Sequence, residues 1–351
     1  MFDVAKAAGV SHQTVSRVLN NSPAVKDSTR RKVLDAIAAS GYRRNLAARQ
    51  LATDRSGIIG LIAPRTELYG PSRSLLAIEA AARESGYWVS LASLPEATGQ
   101  AMTAALDHFL DQSVDAVAVI APNAAVLEAL AAARDAPPLV AVTSGPAPPG
   151  IAVADTDQAA GARLAVEYLI GLGRRRIAHI AGPDDFFHAR TRRDTWAAAL
   201  LDHGLGAELE AAGDWSGQSG LVAASRLLAA GRPDAIFAGN DLMAMGAMAA
   251  LRRAGLRTPQ DVAVIGFDNV PGSDVADPPL TTVDQDHETL GRRVVELVDR
   301  ALRAGTAGSP GSPGSAAPAG PGVEDGAAGL TGAAASAGQA TQAGAAASAG
   351  R

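Results

Sequence analysis

The sequence predicts a small all-α headpiece of helix-turn-helix type followed by a much larger α/β core built on doubly wound parallel sheets. Three observations predict it. Residues 1–55 carry ten Lys/Arg against four acids, a net +6, whereas the whole chain stands at −5 and the remainder therefore at −11. The stretch "VSHQTVSRVLNNS", Val10 to Ser22, gathers Ser, Thr, Gln and Arg on one short helical segment. From Gly57 onward, short apolar runs alternate with Ala/Leu-rich segments of helical spacing, the pattern of parallel strands covered on both faces.

The headpiece elements follow in order. "FDVAKAAGVS" reads as a short helix from Asp3 to Ala8, stopped by Gly9 at a position suited to positive φ. Ser11 can cap the next helix, "HQTVSRVLN". Val4, Ala5, Ala8, Val15, Val18 and Leu19 supply small apolar contacts between the two. A third helix, roughly Ser28 to Ser40, places Val33, Leu34 and Ile37 on one stripe and ends at Gly41. Such a unit, with a Gly-containing turn, presents His12, Gln13, Thr14, Ser16 and Arg17 outward. Gln can read adenine and Arg guanine, while hydroxyls reach phosphates, so a basic head on an acidic body points to a polyanionic partner.

In the core, "GIIGLIAP", "YWVSLASL", "VDAVAVIAP" and "LVAVTS" are strand-like, and "LLAIEAAARESG" has helical spacing. Later come "RRIAHIAGP", "DAIFAGND", "DVAVIGFDN" and "LTTVDQD". Ligands of doubly wound sheets sit outside the carboxyl ends of the strands. That singles out Asp155, Asp157, Asn240, Asp241, Asp268 and Asn269. From about Gly305 to Arg351 the chain is Gly, Ala, Ser and Pro, which buries too little surface to offset its ordering entropy, so disorder is expected.

"DVAKAAGVSHQTVSRVLNNSPAVKDSTRRKVLDAIAASGYRRNLAARQL" resembles the headpiece of the lactose-repressor (LacI/GalR) family of bacterial transcription regulators. The resemblance implies that His12, Gln13 and Arg17 face bases, while Ser11, Thr14, Ser16 and Asn20 lie mainly on phosphates, with Thr29 a further contact. "NLAARQLA" is similar to the family's hinge helix, with Leu51 as a minor-groove wedge and Asn45 and Arg49 as partners. Two positions depart from the family pattern. Arg44 stands where Pro is usual, and Lys26 replaces the capping Ser, leaving Asp27 or Ser28 to cap the third helix.

The segment from about 57 to 304 resembles the family's effector core, a periplasmic-binding-protein-like pair of doubly wound parallel-sheet subdomains; "VEYLIGLGRRRIAHIAGP", "GDWSGQSG", "AGNDLMAMGAMAAL" and "PPLTTVDQD" carry the likeness. Several segments fit the lactose-repressor branch best. The resemblance implies effector contacts from Arg192, Asn240 and Asp268, an aromatic wall from Trp215, and an apolar lip from Leu68, Gly70 and Pro71. Set against the lactose-repressor branch it resembles, the chain has His287 in place of a pocket Phe, Val142 in place of a sugar-binding Asp and Pro64 in place of a Ser. Each pocket residue also has a purely structural reading. Asp268 could cap the next turn, Arg192 could pair with Asp184 or Asp185, and Trp215 could be plain core.

The expected organisation is a headpiece at 1–44, a hinge helix at 45–56, a ligand-binding and dimerisation core at 57–304, and a tail at 305–351. The resemblance implies an apolar β-rich segment after the core and, in some members, leucine heptads that make tetramers; neither has a counterpart in this sequence, and without the heptads assembly is expected to stop at a homodimer. No apolar run approaches a membrane span, and the N-terminus lacks the basic-then-apolar pattern of a secretory signal, so the expectation is a soluble cytoplasmic protein. With no cysteine, thiolate metal sites and Cys nucleophiles are excluded. The six histidines lack ligand spacing, no nucleophile-elbow, P-loop or dinucleotide motif occurs, and neither a metal, a cofactor nor catalysis is expected. The expected function is repression of transcription at near-palindromic double-stranded operator DNA under control of a small, sugar-like effector that acts as an inducer. The alternatives are a regulator whose effector is not a sugar or whose site is lost, and a sugar-binding transport-type protein.

Overall fold

The computed structural model describes residues 1–19, 22–41, 55–64, 67–133 and 136–307. Of the expected features, Asn20, Asn45, Arg49, Leu51, residues 45–54 of the hinge segment and the tail from 308 lie outside the described residues. The chain divides into two units, Met1–Ser56 and Gly57–Arg351.

The first unit is three helices: α1 (Phe2–Ala8), α2 (His12–Leu19) and α3 (Asp27–Ser40). Gly9 and Gly41 end α1 and α3 at φ 65° and 60°, a left-handed conformation in which any side chain would be strained. Ser11 Oγ accepts the Thr14 amide at 3.2 Å and so caps α2. Val4, Ala5, Val15, Val18, Val33 and Ala36 form its core. Two details differ from the sequence expectation. Leu34 is 50% exposed, because it lies one residue, about 100° of helical turn, off the Val33–Ala36–Ile37 stripe. Neither Asp27 nor Ser28 caps α3; the helix starts after Lys26, whose side chain makes no capping bond.

The second unit contains two parallel sheets. The first sheet has β1 (Ile58–Pro64), β2 (Trp88–Leu94), β3 (Ala116–Ile120), β4 (Leu139–Val142) and β5 (Ala152–Ala154), in the order β2-β1-β3-β4-β5. The second has β6 (Ile177–Ala181), β7 (Glu210–Ala212), β8 (Ala235–Ala238), β9 (Ala263–Phe267) and β10 (Thr281–Val283), in the order β10-β9-β8-β6-β7. Every pairing is parallel, and the order is the same in both sheets when each is counted from its own first strand. All residues of β3, β6, β8 and β9 are buried, as strands covered on both faces must be.

The helices are α4 (Tyr69–Glu84), α5 (Gly99–Asp111), α6 (Ala124–Ala132), α7 (Gln158–Gly171), α8 (Phe187–Asp202), α9 (Gly217–Gly231), α10 (Asp241–Arg253) and α11 (His287–Ala307). Five of them start on a side-chain cap: Thr98, Asn123, Asp157, Ser216 and Asn240 each accept an amide of the first turn. Each lobe has an apolar layer on either face of its sheet. Helix α11 packs against α4 and returns the chain to the first lobe, so the lobes are joined at 155–157 and again at 284–286.

Eight of the ten strands fall within the runs singled out in the sequence. The other two, β5 and β7, are three-residue edge strands. Helix α11 continues to Ala307, three residues into the segment expected to be a tail. The three tryptophans occupy distinct settings: Trp88 is 66% exposed on edge strand β2, Trp196 is sealed in the second lobe, and Trp215 is buried where the lobes meet. No helix among the described residues is long and apolar enough to cross a membrane.

Candidate functional site

The strand order places the topological switch point between β1 and β3 in one lobe and between β6 and β8 in the other. A cleft of about 720 Å³, including the part open to solvent, lies at the carboxyl ends of the strands of both lobes. All eight residues expected at an effector site line it: Leu68, Gly70, Pro71, Arg192, Trp215, Asn240, Asp268 and His287. Leu68 to Pro71 begin α4, His287 begins α11, Arg192 lies one turn into α8, Asn240 comes two residues after β8 at the cap of α10, and Asp268 directly follows β9.

Arg192 is buried, and its guanidinium stands 3.6 Å over the Phe267 ring. Its Nε donates to Gln158 Oε1 at 2.9 Å and its Nη1 to the Gly239 carbonyl. Its Nη2 is 3.8 Å from Asp268 Oδ1. Burial raises Asp268 to about 7 against the opposing pull of Arg192, and burial lowers Arg192 to about 10 against that of Asp268. Desolvation thus outweighs attraction on both sides of this loose pair. Gln285 Nε2 donates to Asp268 at 2.7 Å, and Thr156 Oγ1 and Gln158 Nε2 both donate to Gln285 Oε1, at 3.0 and 2.8 Å. A continuous polar network therefore joins Arg192, Gln158, Thr156, Gln285 and Asp268 across both chain crossings. The neighbouring Arg193, and not Arg192, pairs with Asp184.

Asn240 has two structural jobs. Its Oδ1 caps α10 through the Met243 amide at 2.9 Å, and its Nδ2 donates to the Trp215 carbonyl at 3.0 Å. An amide retains one further donor and one further acceptor site for a ligand. The Trp215 ring occupies the space where a Cβ on Gly182 would sit, 2.1 Å away, and His188 stacks on it at 5.1 Å. Trp215 and Asp268 have φ of 75° and 108°, a left-handed backbone that non-glycine residues rarely adopt. Such backbone costs on the order of 1–3 kcal/mol and persists where the surroundings enforce it.

Asp241, beside Asn240, is fully buried and points away from the cleft lining. It accepts the Val270 amide at 2.8 Å, Ser273 Oγ at 2.9 Å and Thr282 Oγ1 at 2.5 Å, which fixes the turn that carries Asp268. Asp155 does line the cleft, and burial pushes it up to about 6 against hydrogen bonds from Ser144 and the Thr156 backbone. It follows β5, whose Ala154 pairs with Val142, so its carboxylate stands at the carboxyl end of the strand beside β4. Asn269 and Asp157 are absent from the lining. Sequence reading did not single out Ser74, Gln158, His188 or Gln285 as lining residues; the strand-end signal does not reach side chains on helices or after β10.

In the headpiece, His12, Gln13 and Arg17 are exposed, and so is Ser11, while Thr14, Ser16 and Thr29 are half-buried. Ser11 Oγ and Thr14 Oγ1 also share a hydrogen bond of 3.0 Å, so these hydroxyls brace the start of α2. Gln13 and Arg17 lie on the face of α2 opposite buried Val15 and Val18, and His12 flanks them in the first turn.

Residues 1–45 match the family described as bacterial regulatory proteins, lacI family, and residues 166–315 match a periplasmic binding protein-like domain. The chain is 36% identical over 301 residues to the lactose operon repressor of Escherichia coli (strain K12), covering 84% of this chain and 82% of that one. The chain belongs to the lacI family. Among solved structures it resembles the lac repressor dimer bound to operator and the anti-inducer ONPF, with TM-score 0.74, 35% identity, and coverage of 87% of this chain and 92% of that one. It also resembles the complex of the transcriptional regulator CelR with cellobiose, with TM-score 0.64, 31% identity, and coverage of 86% and 93%. Membership of the lacI family makes this a regulatory protein with a helix-turn-helix head and a two-lobed α/β core.

Proposed function

We propose that this lacI-family regulator is a transcriptional repressor that grips a near-palindromic operator as a homodimer and loosens its hold when a sugar fills the cleft. One observation carries the reading: eight residues from six separate parts of the fold, including Arg192, Trp215, Asn240 and Asp268, converge on a single cleft in a chain whose head is a basic helix-turn-helix. A sugar hydroxyl both donates and accepts, and the cleft offers both capacities, from Arg192 and Asn240 as donors and from Asn240 and Asp268 as acceptors. On the head, His12, Gln13 and Arg17 read bases, and Ser11, Thr14, Ser16, Asn20 and Thr29 position the phosphates. Asn45, Arg49 and Leu51 act in the minor groove. Two heads on a two-fold dimer require two inverted half-sites. Sugar and DNA must change each other's affinity by the same factor, typically about 1–3 kcal/mol. The protein acts where the chromosome is, in the cytoplasm.

The test is selection of bound duplexes from a randomised pool, followed by fluorescence anisotropy with and without a panel of mono- and disaccharides. An inverted-repeat consensus whose affinity drops at least fivefold with one sugar is the expected result. Recovery of no consensus, or an affinity unchanged by every sugar that calorimetry shows to bind, would refute it.

A further inference from the structure

Among the described residues, four buried side-chain nitrogens have no hydrogen-bond partner: Arg174 Nε, His179 Nε2, Trp215 Nε1 and His287 Nε2. Two of these residues, Trp215 and His287, line the cleft, and they do so from opposite lobes. His287 is 6% exposed, at the start of α11, where its Nδ1 is 3.1 Å from Ser74 Oγ on α4. That bond fixes the ring plane. An orphaned buried nitrogen is costly unless something pairs with it in the working state.

The electrostatics fix the ring as neutral. Burial lowers its pKa to about 4, helped by Arg73 and Arg192 and opposed by Asp286. A neutral imidazole has one donor and one acceptor nitrogen. If Ser74 donates to Nδ1, Nε2 carries the proton and donates; if Nδ1 donates to Ser74, Nε2 accepts. A hydroxyl satisfies either arrangement, whereas an alkyl or aryl group satisfies neither.

Resting on the sugar reading above, we infer that His287, oriented by Ser74, is a specificity-determining residue that reads a hydroxyl at the end of the ligand facing the first lobe. The cleft is then polar at both ends. Arg192, Asn240 and Asp268 hold one end of the sugar from the second lobe, and His287 pairs with a hydroxyl at the other. An apolar group there would leave Nε2 unpaired. With the anomeric carbon placed at that end, free sugars and oligosaccharides are preferred, and alkyl or aryl glycosides are discriminated against.

Calorimetric titration of the full chain with glucose, galactose, ribose, cellobiose and lactose, each beside its isopropyl β-glycoside, tests this. Wild type is expected to prefer the free sugar over its isopropyl glycoside by at least tenfold. His287→Phe narrows that ratio at least tenfold, by losing the free sugar and gaining the glycoside. Ser74→Ala, which keeps the ring but frees it, moves the ratio the same way by less, and serves if the Phe variant fails to fold. Asp268→Asn weakens both members of a pair equally. If wild type binds but the ratio stays within twofold in both His287→Phe and Ser74→Ala, the specificity assignment falls and the sugar reading stands. If wild type binds no sugar, the sugar reading falls and takes this assignment with it.

Discussion

Removing the Asp241 carboxylate tests how the cleft is held in shape. Asp241 accepts three hydrogen bonds: the Val270 amide at 2.8 Å, Ser273 Oγ at 2.9 Å and Thr282 Oγ1 at 2.5 Å. In Asp241→Ala the Val270 N–H loses its acceptor inside the protein, at about 1–3 kcal/mol, and the two hydroxyls lose a charged partner. Part of that loss is offset, because burial already raises the Asp241 pKa and its desolvation cost disappears with it. The expected net loss is about 3 kcal/mol, within the ~5–15 kcal/mol that a domain has. In Asp241→Asn the amide oxygen can face Val270 and Ser273 while its NH₂ donates to Thr282, whose hydroxyl turns to accept. That variant is expected to lose about 1 kcal/mol. Urea unfolding followed by circular dichroism gives both values. The turn pinned by Asp241 also carries Asp268 at φ 108°, so sugar affinity should drop in the Ala variant while DNA affinity is kept. An Ala variant within 0.5 kcal/mol of wild type would refute the reasoning, and so would an Asn variant as damaged as the Ala one.

Three further outcomes are expected. A Cβ on Gly246 would sit 2.0 Å from the Gly217 carbonyl oxygen and 2.7 Å from the Leu221 amide, both backbone atoms. Gly246→Ala should therefore destabilise by about 3 kcal/mol, although Gly→Ala in an open helix gains about 1, and a thermal melt at or above the wild-type midpoint would contradict this. His179 is sealed between Trp196 and Phe237, and burial lowers its pKa to about 3, below the unfolded value of 6.5. Its neutral form is the folded one, so its contribution is intact above pH 6.5 and is lost as pH falls toward 3. Between pH 8 and pH 5 wild type should lose about 2 kcal/mol more than His179→Phe, and parallel stability curves would count against the assignment. Arg17→Ala should relax base preference at one operator position by about 1–3 kcal/mol; an equal loss on every sequence would make Arg17 a phosphate contact instead.

The contrast between what the sequence revealed and what it concealed follows from the range of the forces involved. Strands such as "VIGF" and "AIFA" are legible because burial on both faces demands an unbroken apolar run. Edge strands β5 and β7 are not, since "AVA" and "EAA" have too few residues to carry a period. The strand-end rule located Asn240, Asp268 and Asp155, but it also picked Asp157, which caps α7, and Asp241, which serves the turn next door. Gln158, Gln285 and Ser74 are ordinary polar residues in sequence. Only the fold makes them neighbours: Gln158 meets Gln285 where the chain crosses between the lobes, and Ser74 meets His287 where α11 returns to α4. The headpiece core was legible as a set of small apolar residues, but one helical step separates buried Val33 from exposed Leu34.

The placement of the three tryptophans makes the protein its own spectroscopic reporter. Trp88 lies in water, Trp196 inside the second lobe and Trp215 in the cleft. Emission should therefore resolve into a red, quencher-accessible component, a blue, shielded one, and a third that shifts only when the cleft fills. With single Trp→Phe replacements, occupancy of the cleft, integrity of the second lobe and coverage of the β2 edge could each be followed in one cuvette without any attached dye.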